Sequence, residues 1–252
     1  MSMPKWMLYI AILIFVSLLL LQFEVIPNRK SSFKCKDPSI SYILKGETIS
    51  EKQLLLSIFL GPLLIITLIE VLNTISFHNL NKKIIWSLYK RCLTGVIFVI
   101  LITEFLKTVT REPRPHFMQS CKPDANEVCE KGIHVFEYKC TNTRLTRFSQ
   151  ADLTRSFPSG HTSLSLFTAL HCSYLLLIRL RHGFKRNVFK VLLITVCFAW
   201  SFICSLSRIT DKRHHWWDVA AGATLGLCSF YMFYRLQRSS LINTDINKTE
   251  SS

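Results

Sequence analysis

The chain has 252 residues, of which 49% are hydrophobic, with a mean hydropathy of +0.28 and a net charge of +15. Its long apolar runs exclude an ordinary soluble domain, which needs no such runs to bury a core. The basic residues lie mostly in loops beside these runs, and no Gly-rich or aromatic–basic RNA motif is present, which argues against a nucleic-acid partner.

The number and length of the apolar runs predict an all-α, polytopic membrane protein with six transmembrane helices. The first run is longer than a signal-peptide core and no A-x-A cleavage pattern follows it, so we interpret it as a retained anchor. The six spans and a polar tail at 239–252 divide the chain into a membrane domain over 1–238 and a disordered cytoplasmic tail. The predicted spans are 6–26, 54–76, 92–106, 162–178, 188–206 and 217–234.

The loop residues suggest which side of the membrane each loop faces. An even number of spans places both termini on one side, and basic residues are denser on that side, which favours a cytoplasmic location for the termini. The opposite, outer loops contain four of the nine cysteines: Cys35, Cys121, Cys129 and Cys140. An even set of thiols on one face is expected in an oxidising lumen or exterior and allows two disulfides, whose pairing the sequence leaves open.

Three polar segments interrupt the apolar pattern. KTVTREPRP (107–115) follows the third predicted span, FPSGHTS (157–163) precedes the fourth, and SLSRITDKRHHWWDVAAG (205–222) lies between the fifth and sixth. The order of the spans places all three segments on the outer face. They can therefore converge on one site at the level of the lipid headgroups.

The residue types in these segments suit an anion, and phosphate in particular. Lys107, Arg114 and Arg208 supply three cations, and the planar fork of arginine matches phosphate oxygens. Ser159 and Gly160 precede a predicted helix, whose unpaired N–H groups and positive dipole end favour an anion. The GxxxxGK[ST] pattern of a nucleotide-binding loop is absent.

Two histidines add chemistry to this anion site. His214 and Asp218 are four residues apart, so on a helix the carboxylate can orient the imidazole and leave its other nitrogen free as a nucleophile. His161, on a different segment, can act as the general acid for the leaving oxygen. The sequence has no Cys-x5-Arg loop, D-x-D pair or dense Asp/Glu/His cluster, so we expect catalysis through a phosphohistidine without a metal or other cofactor.

These same residues resemble the three signatures of the type 2 phosphatidic acid phosphatase (PAP2) superfamily. The matching patterns are Lys107-x6-Arg114-Pro115, Pro158-Ser159-Gly160-His161 and Ser207-Arg208-x5-His214-x3-Asp218. The stretches FKCKDPSISY, C-x-P-D and SRITDKRHHWWDV are similar to the animal lipid phosphate phosphatase branch. The long outer loop departs from related animal enzymes, since it contains no N-glycosylation sequon.

The resemblance implies a six-span enzyme that removes phosphate from lipids such as phosphatidic acid, lysophosphatidic acid, sphingosine 1-phosphate and ceramide 1-phosphate, without Mg²⁺. It implies His214 as nucleophile, Asp218 as its orienting group and His161 as acid. The implied phosphate ligands are Lys107, Arg114, Ser159, Gly160 and Arg208. An outer or luminal active site, in the plasma membrane or an internal membrane, and a homo-oligomer are compatible with this interpretation.

Other functions remain open at this point. A lipid phosphotransferase of the same fold would use the same residues, a vanadium haloperoxidase would use a similar anion site, and a glucose-6-phosphate-type phosphatase shares the motifs. A non-catalytic membrane scaffold would tolerate the loss of motif residues, all of which this chain retains. We interpret the remaining polar residues of the third segment as loop charge or packing: Asp211, Lys212, Arg213 and His215.

Overall fold

The computed structural model describes residues 9, 12–18, 31–73, 81–126, 129–181 and 183–249, with side chains described to residue 235 except those of 126 and 184. Five long helices dominate it, with two short helices and one small antiparallel sheet in the loops. The long helices are α1 (Glu51–Asn73), α2 (Lys82–Thr110), α5 (Gly160–Arg179), α6 (Phe184–Thr210) and α7 (Trp216–Thr249); the short elements are α3 (Phe117–Cys121), α4 (Arg147–Asp152), β1 (Phe33–Lys34) and β2 (His134–Val135).

The all-α membrane architecture is confirmed at this level. Within the described residues, four helices are long and apolar enough to cross a membrane: α1, α2, α5 and most of α6. Most of the predicted span 6–26 lies outside the described residues, although 12–18 are helical. The helix α7 corresponds to the sixth predicted span but is not among the four helices found within the described residues.

Helix boundaries follow local chemistry. The Asn81 side chain accepts hydrogen bonds from the N–H groups of Lys83 and Ile84, which caps the start of α2. The helix α2 ends where Arg111 adopts a left-handed conformation and prolines follow at 113 and 115. The backbone of α7 continues to Thr249, and the expected division into a domain over 1–238 and a disordered tail over 239–252 stays a prediction.

The helix α5 forms the centre of the bundle and packs against α1, α2, α6 and α7. Of its most apolar window, 67% is buried, compared with 17% for α6. Small residues permit this close packing: a Cβ added at Gly222 or Gly226 of α7 would lie 2.5 or 2.6 Å from the carbonyl oxygens of Ser159 and Ser163. The Gly222-xxx-Gly226 pattern therefore brings the backbone of α7 against the first turns of α5.

The loops at the end of the bundle that contains the three polar segments form a small cap. Phe33, Phe117 and Leu153 bury their side chains together there. Two disulfides hold the cap together and settle the pairing that the sequence left open: Cys35 with Cys129, and Cys121 with Cys140. This cap fixes the loop after α2 relative to the loop before α5.

Candidate active site

His214 lies in the five-residue connection between α6 and α7. This connection folds back on the end of α6, because the N–H groups of Arg213 and His214 both donate to the carbonyl oxygen of Arg208. The side chain of His214 is 4% exposed. Burial lowers the pKa of His214 to about 4, and the attraction of Asp218 offsets only part of that effect. The ring is therefore neutral near pH 7, as a nucleophilic imidazole requires.

Asp218 lies in the first turn of α7 and is fully buried. Its Oδ2 atom accepts hydrogen bonds from the Ser156 hydroxyl at 2.6 Å and from the His215 N–H at 2.8 Å. The Nδ1 atom of His214 lies 3.6 Å from the same oxygen, which is longer than a hydrogen bond. The carboxylate thus faces His214, as the sequence predicts, but without the direct hydrogen bond expected from the spacing.

Ser156 contacts both of these residues. Its Oγ atom lies 3.5 Å from Nδ1 of His214 and donates to Asp218, so the hydroxyl can relay the orienting effect of the carboxylate to the imidazole. Ser156 is completely buried, and its own N–H donates to the carbonyl oxygen of Glu112. Sequence reasoning missed Ser156; its one signal is that a small polar residue directly precedes the FPSGH segment.

The start of α5 brings the second polar segment to His214. The Ser159 N–H donates to the carbonyl oxygen of Asp218, which ties the two segments through the backbone. His161 is 9% exposed, and its Nε2 atom is buried without a hydrogen-bond partner among the described residues. Arg208 and His214 lie close enough to His161 to act on it electrostatically. An unpartnered imidazole nitrogen is thus available beside the proposed nucleophile.

Lys107 brings the first polar segment to the same place. A Cβ added at Gly160 would lie 3.4 Å from Nζ of Lys107, so the ammonium group lies against the backbone at the start of α5. A Cβ at position 160 would thus be in van der Waals contact with this cation. Lys107 and Arg114 both act electrostatically on His161 and His214. The three segments that are distant in sequence therefore meet at one site.

Each of the three cations also has an anionic neighbour. The Nζ of Lys107 lies 2.9 Å from Glu104, and the guanidinium groups of Arg114 and Arg208 lie 2.6 Å from Asp152 and 3.4 Å from Asp211. Arg208 is also held by the carbonyl oxygen of Ile49 at 2.6 Å. These contacts orient the cations and reduce the cost of burying them.

Comparison with known proteins finds a family match over the part of the chain that contains the three polar segments. Residues 89–241, more than half of the chain, match the PAP2 superfamily. The chain belongs to this superfamily. The matched region contains every residue that the sequence assigns to the PAP2 site: Lys107, Arg114, Ser159, Gly160, His161, Arg208, His214 and Asp218.

Several PAP2 relatives span animals, plants and amoebae. Phospholipid phosphatase 1 of Mus musculus is 30% identical, with 82% of this chain and 76% of the relative covered. A PA-phosphatase related-family protein of Dictyostelium discoideum is 28% identical over 95% of this chain, which spans 65% of that relative's length. Lipid phosphate phosphatase 1 of Arabidopsis thaliana is 31% identical over 63% of this chain and 45% of the relative's length. No solved structure matches the chain at a significant level.

His215 forms hydrogen bonds in this PAP2 site in addition to packing against its neighbours. Its backbone N–H donates to Asp218, its Nε2 atom lies 3.1 Å from the carbonyl oxygen of Ser39, and its ring stacks on Trp217 at 4.3 Å. The side chain of Trp217 in turn donates to Glu112 at 2.7 Å. His215 therefore helps to hold Asp218 in place through its backbone N–H, a role that helical spacing could not show.

His116 and Asp211 join the loops around the PAP2 site. His116 is buried, donates from Nδ1 to the carbonyl oxygen of Lys212 at 2.9 Å, and thereby links the first and third polar segments. Burial lowers the pKa of His116 to about 4. Asp211 accepts hydrogen bonds from both the N–H and the hydroxyl of Thr48. The expectation that Asp211 serves packing agrees with these contacts, whereas His116 was missed.

One group of side chains in the described part of the chain has the spacing of metal ligands: Glu112, His215 and Asp218, with ligand atoms within 4.8 Å of one another. Burial and the charge of Asp218 raise the pKa of Glu112. Because a carbonyl oxygen only accepts, the contact of His215 with Ser39 places a proton on Nε2. The hydrogen bonds to Ser39, Trp217 and the His215 N–H explain why these three side chains lie together. Catalysis without a metal stays a prediction.

Proposed function

We propose that the chain is a metal-independent phosphatase that removes phosphate from lipid phosphates such as phosphatidic acid, lysophosphatidic acid, sphingosine 1-phosphate and ceramide 1-phosphate. The observation that carries this proposal is the meeting of two buried histidines, His214 and His161, with three cations at one end of a bundle of apolar helices. The names of the mouse and Arabidopsis relatives support a lipid phosphate as the substrate class.

In the first step the phosphate takes the place between the two histidines. The carboxylate of Asp218, acting through Ser156, favours the proton on Nδ1 of His214, so the lone pair on Nε2 attacks phosphorus. The phosphorus–oxygen bond to the lipid breaks. The leaving oxygen takes a proton from His161, whose protonated form the arriving phosphate charge favours.

In the second step water cleaves the phosphohistidine. His161, now neutral, accepts a proton from the attacking water, and the bond between phosphorus and Nε2 of His214 breaks. Inorganic phosphate leaves and both histidines return to their starting states. Lys107, Arg114 and Arg208 stabilise the negative charge on the equatorial oxygens in both steps, while Ser159 and the backbone at Gly160 complete the phosphate site.

The disulfides support an outer location for this site. Both bonds lie in the cap that contacts the first polar segment, and disulfides persist in oxidising compartments. We therefore place the active site on the extracellular or luminal face of a six-span protein with cytoplasmic termini, in the plasma membrane in preference to an internal one. A lipid in that leaflet would present its phosphate at the level of His214.

The activity is tested with purified protein in detergent, phosphatidic acid and EDTA. The native protein is expected to release phosphate, and His214→Ala and Lys107→Ala are expected to lose that activity. His134→Ala and Lys83→Ala, which change exposed residues, serve as matched controls. Equal activity in all variants would refute the mechanism. Transfer of the phosphate to an added alcohol in place of water would identify a phosphotransferase, and no activity in any protein would favour a scaffold.

Topology is tested by labelling intact cells with a membrane-impermeant maleimide. Phe148→Cys lies in α4 of the cap and its native side chain is 77% exposed, so we expect it to react from outside. Lys83→Cys lies at the end of α2 that is farthest from the cap, and it is expected to react only after the cells are permeabilised. The reverse pattern would place the site on the cytoplasmic face.

A further inference from the structure

A groove of about 270 Å³ lies between α1, α5 and α6, within the membrane-spanning part of the bundle. Its walls are almost entirely carbon and sulfur, apart from a few hydroxyl groups. The hydroxyls of Ser57 and Ser165 are already bonded, to Trp200 and Ser201 respectively. Each of the three helices contributes to the walls, for example Ile58 and Gly61, Ala169 and Cys172, and Cys197 and Trp200.

The groove is aligned with the proposed phosphate site. Its α5 residues Ser165, Thr168 and Cys172 follow His161 by four, seven and eleven residues, spacings that keep to one face of a helix. At 1.5 Å per residue, the groove begins about 6 Å below His161 and extends to about 16 Å below it. On α6, Cys197 precedes Arg208 by eleven residues, so it shares a face with that cation.

We propose that this groove holds one hydrocarbon chain of the lipid substrate while its phosphate lies between His161 and His214. The inference rests on the proposed function, since it needs a substrate whose phosphate carries an apolar tail. A chain leaving the phosphate site toward the bilayer centre follows the same face of α5 and meets an apolar wall there. Burying the chain in this groove favours binding by the hydrophobic effect and fixes the direction of the leaving oxygen.

Gly61 leaves the room that a chain requires. A Cβ added to Gly61 would meet no atom within 4 Å, although the residue lines the groove. The α6 wall of the groove is held to α1, because the indole N–H of Trp200 donates to the Ser57 hydroxyl at 3.1 Å. A methyl group at position 61 would therefore meet open space, and we expect a larger side chain there to reduce the volume of the groove.

The first predicted span, 6–26, is the other candidate occupant within the chain. Among the described residues of that span, 12–18 contribute no lining residue to the groove. The alignment with His161 and the space at Gly61 are what a substrate chain needs, and an anchor helix needs neither. We therefore assign the groove to the substrate.

The groove is tested by filling it. Gly61→Ala, Gly61→Leu and Gly61→Phe are compared on dioleoyl phosphatidic acid and on a short, water-soluble dibutyryl analogue. The ratio of kcat/KM for the long over the short substrate is expected to fall progressively, by at least about tenfold for Gly61→Phe, through a higher KM for the long substrate. Leu64→Phe is the matched control, because Leu64 is 68% exposed on the lipid-facing side of α1. An unchanged ratio in Gly61→Phe, or an equal fall in Leu64→Phe, would overturn the proposal.

A binding measurement separates this inference from the proposed function. Phosphatidic acid with a photoreactive group in the middle of its chain is irradiated with the His214→Ala variant, and the labelled peptides are identified. We expect labels within 57–65, 165–172 and 196–200, and their loss in the His214→Ala, Gly61→Phe double variant. Labels confined to 6–26 or to the outer surface of α1 would overturn the groove. A native protein that hydrolyses neither substrate would refute the phosphatase, while the labels would still report where the chain binds.

Discussion

The two ends of the helix bundle bury polar groups in very different ways. At the end with the three polar segments, Ser156, Arg208 and Asp218 are almost completely buried within one network. At the other end, apolar side chains such as Ile66 and Leu176 fill the core, and Glu70 with Arg179 forms an ion pair at 2.8 Å. Buried charge costs free energy unless it is paired, and packing alone does not require it. The concentration of buried polar groups at the first end supports the proposed active site there.

Asp218→Asn is expected to cause the largest loss of activity at the end with the three polar segments. The amide keeps the volume but loses the charge that favours the required tautomer of His214, so we expect kcat to fall about a thousandfold. Phosphate release from a soluble substrate, with thermal unfolding measured in parallel, checks this prediction. A loss of activity below tenfold in a folded variant would contradict the role of Asp218.

Ser156→Ala tests whether the hydroxyl that contacts both His214 and Asp218 contributes to catalysis. Removing a hydrogen bond to a buried carboxylate costs about 1.5–3 kcal/mol, so kcat is expected to fall roughly 10- to 100-fold. Ser156→Thr keeps the hydroxyl and should recover part of the rate. If Ser156→Thr and Ser156→Ala have the same rate and the same pH profile, the hydroxyl is structural only.

The pH dependence follows from His214. Because burial lowers its pKa to about 4, activity measured as kcat/KM should be lost as the pH falls through about 4, close to tenfold per unit below it. The free energy of unfolding is also expected to fall at low pH. Below about pH 6.5 the unfolded chain binds protons at His116 and His214, whereas the folded chain binds them only near pH 4, so stability is lost between these two pH values. An acid limb near pH 6.5 would show that His214 is not buried in the active enzyme.

Glu70→Ala probes the other end and should have the smallest effect on catalysis. It leaves Arg179 without its carboxylate, but Arg179 is 34% exposed, so we expect a loss of about 1–2 kcal/mol of stability. The kcat of the folded fraction is expected to stay within twofold of the native value. A large fall in kcat without unfolding would show that the two ends are coupled.

The contrast between the ends also shows how much the sequence could predict. All eight proposed site residues lie in short motifs, and hydropathy located the helices to within a few residues for α1, α5 and α6. The third span was predicted as 92–106, whereas α2 covers Lys82–Thr110, because its charged first turns continue the helix beyond the apolar window. Six spans stay a prediction, since four helices among the described residues have the length and hydropathy of a membrane span.

The residues that sequence reasoning missed have a common cause. Ser156, Glu112, His116 and His215 act through partners 58 to 176 residues away or through the backbone of another loop. Their types are ordinary for loops, and no spacing rule connects them. His215 was interpreted as packing because it points away from His214 on a helix, yet its backbone lies in the loop and binds Asp218.

The sequence by itself determined the helical class, the approximate positions of the four apolar helices found among the described residues and the residue types of the proposed site, because hydropathy and motif spacing are local properties of the chain. Only the tertiary structure decided the disulfide pairing, the partners of the three cations, the contacts of Ser156 with His214 and Asp218, and the groove below His161. Each of these depends on which distant segments pack together. That packing is set by the fit of side chains between helices, as in the contact of Gly222 with Ser159.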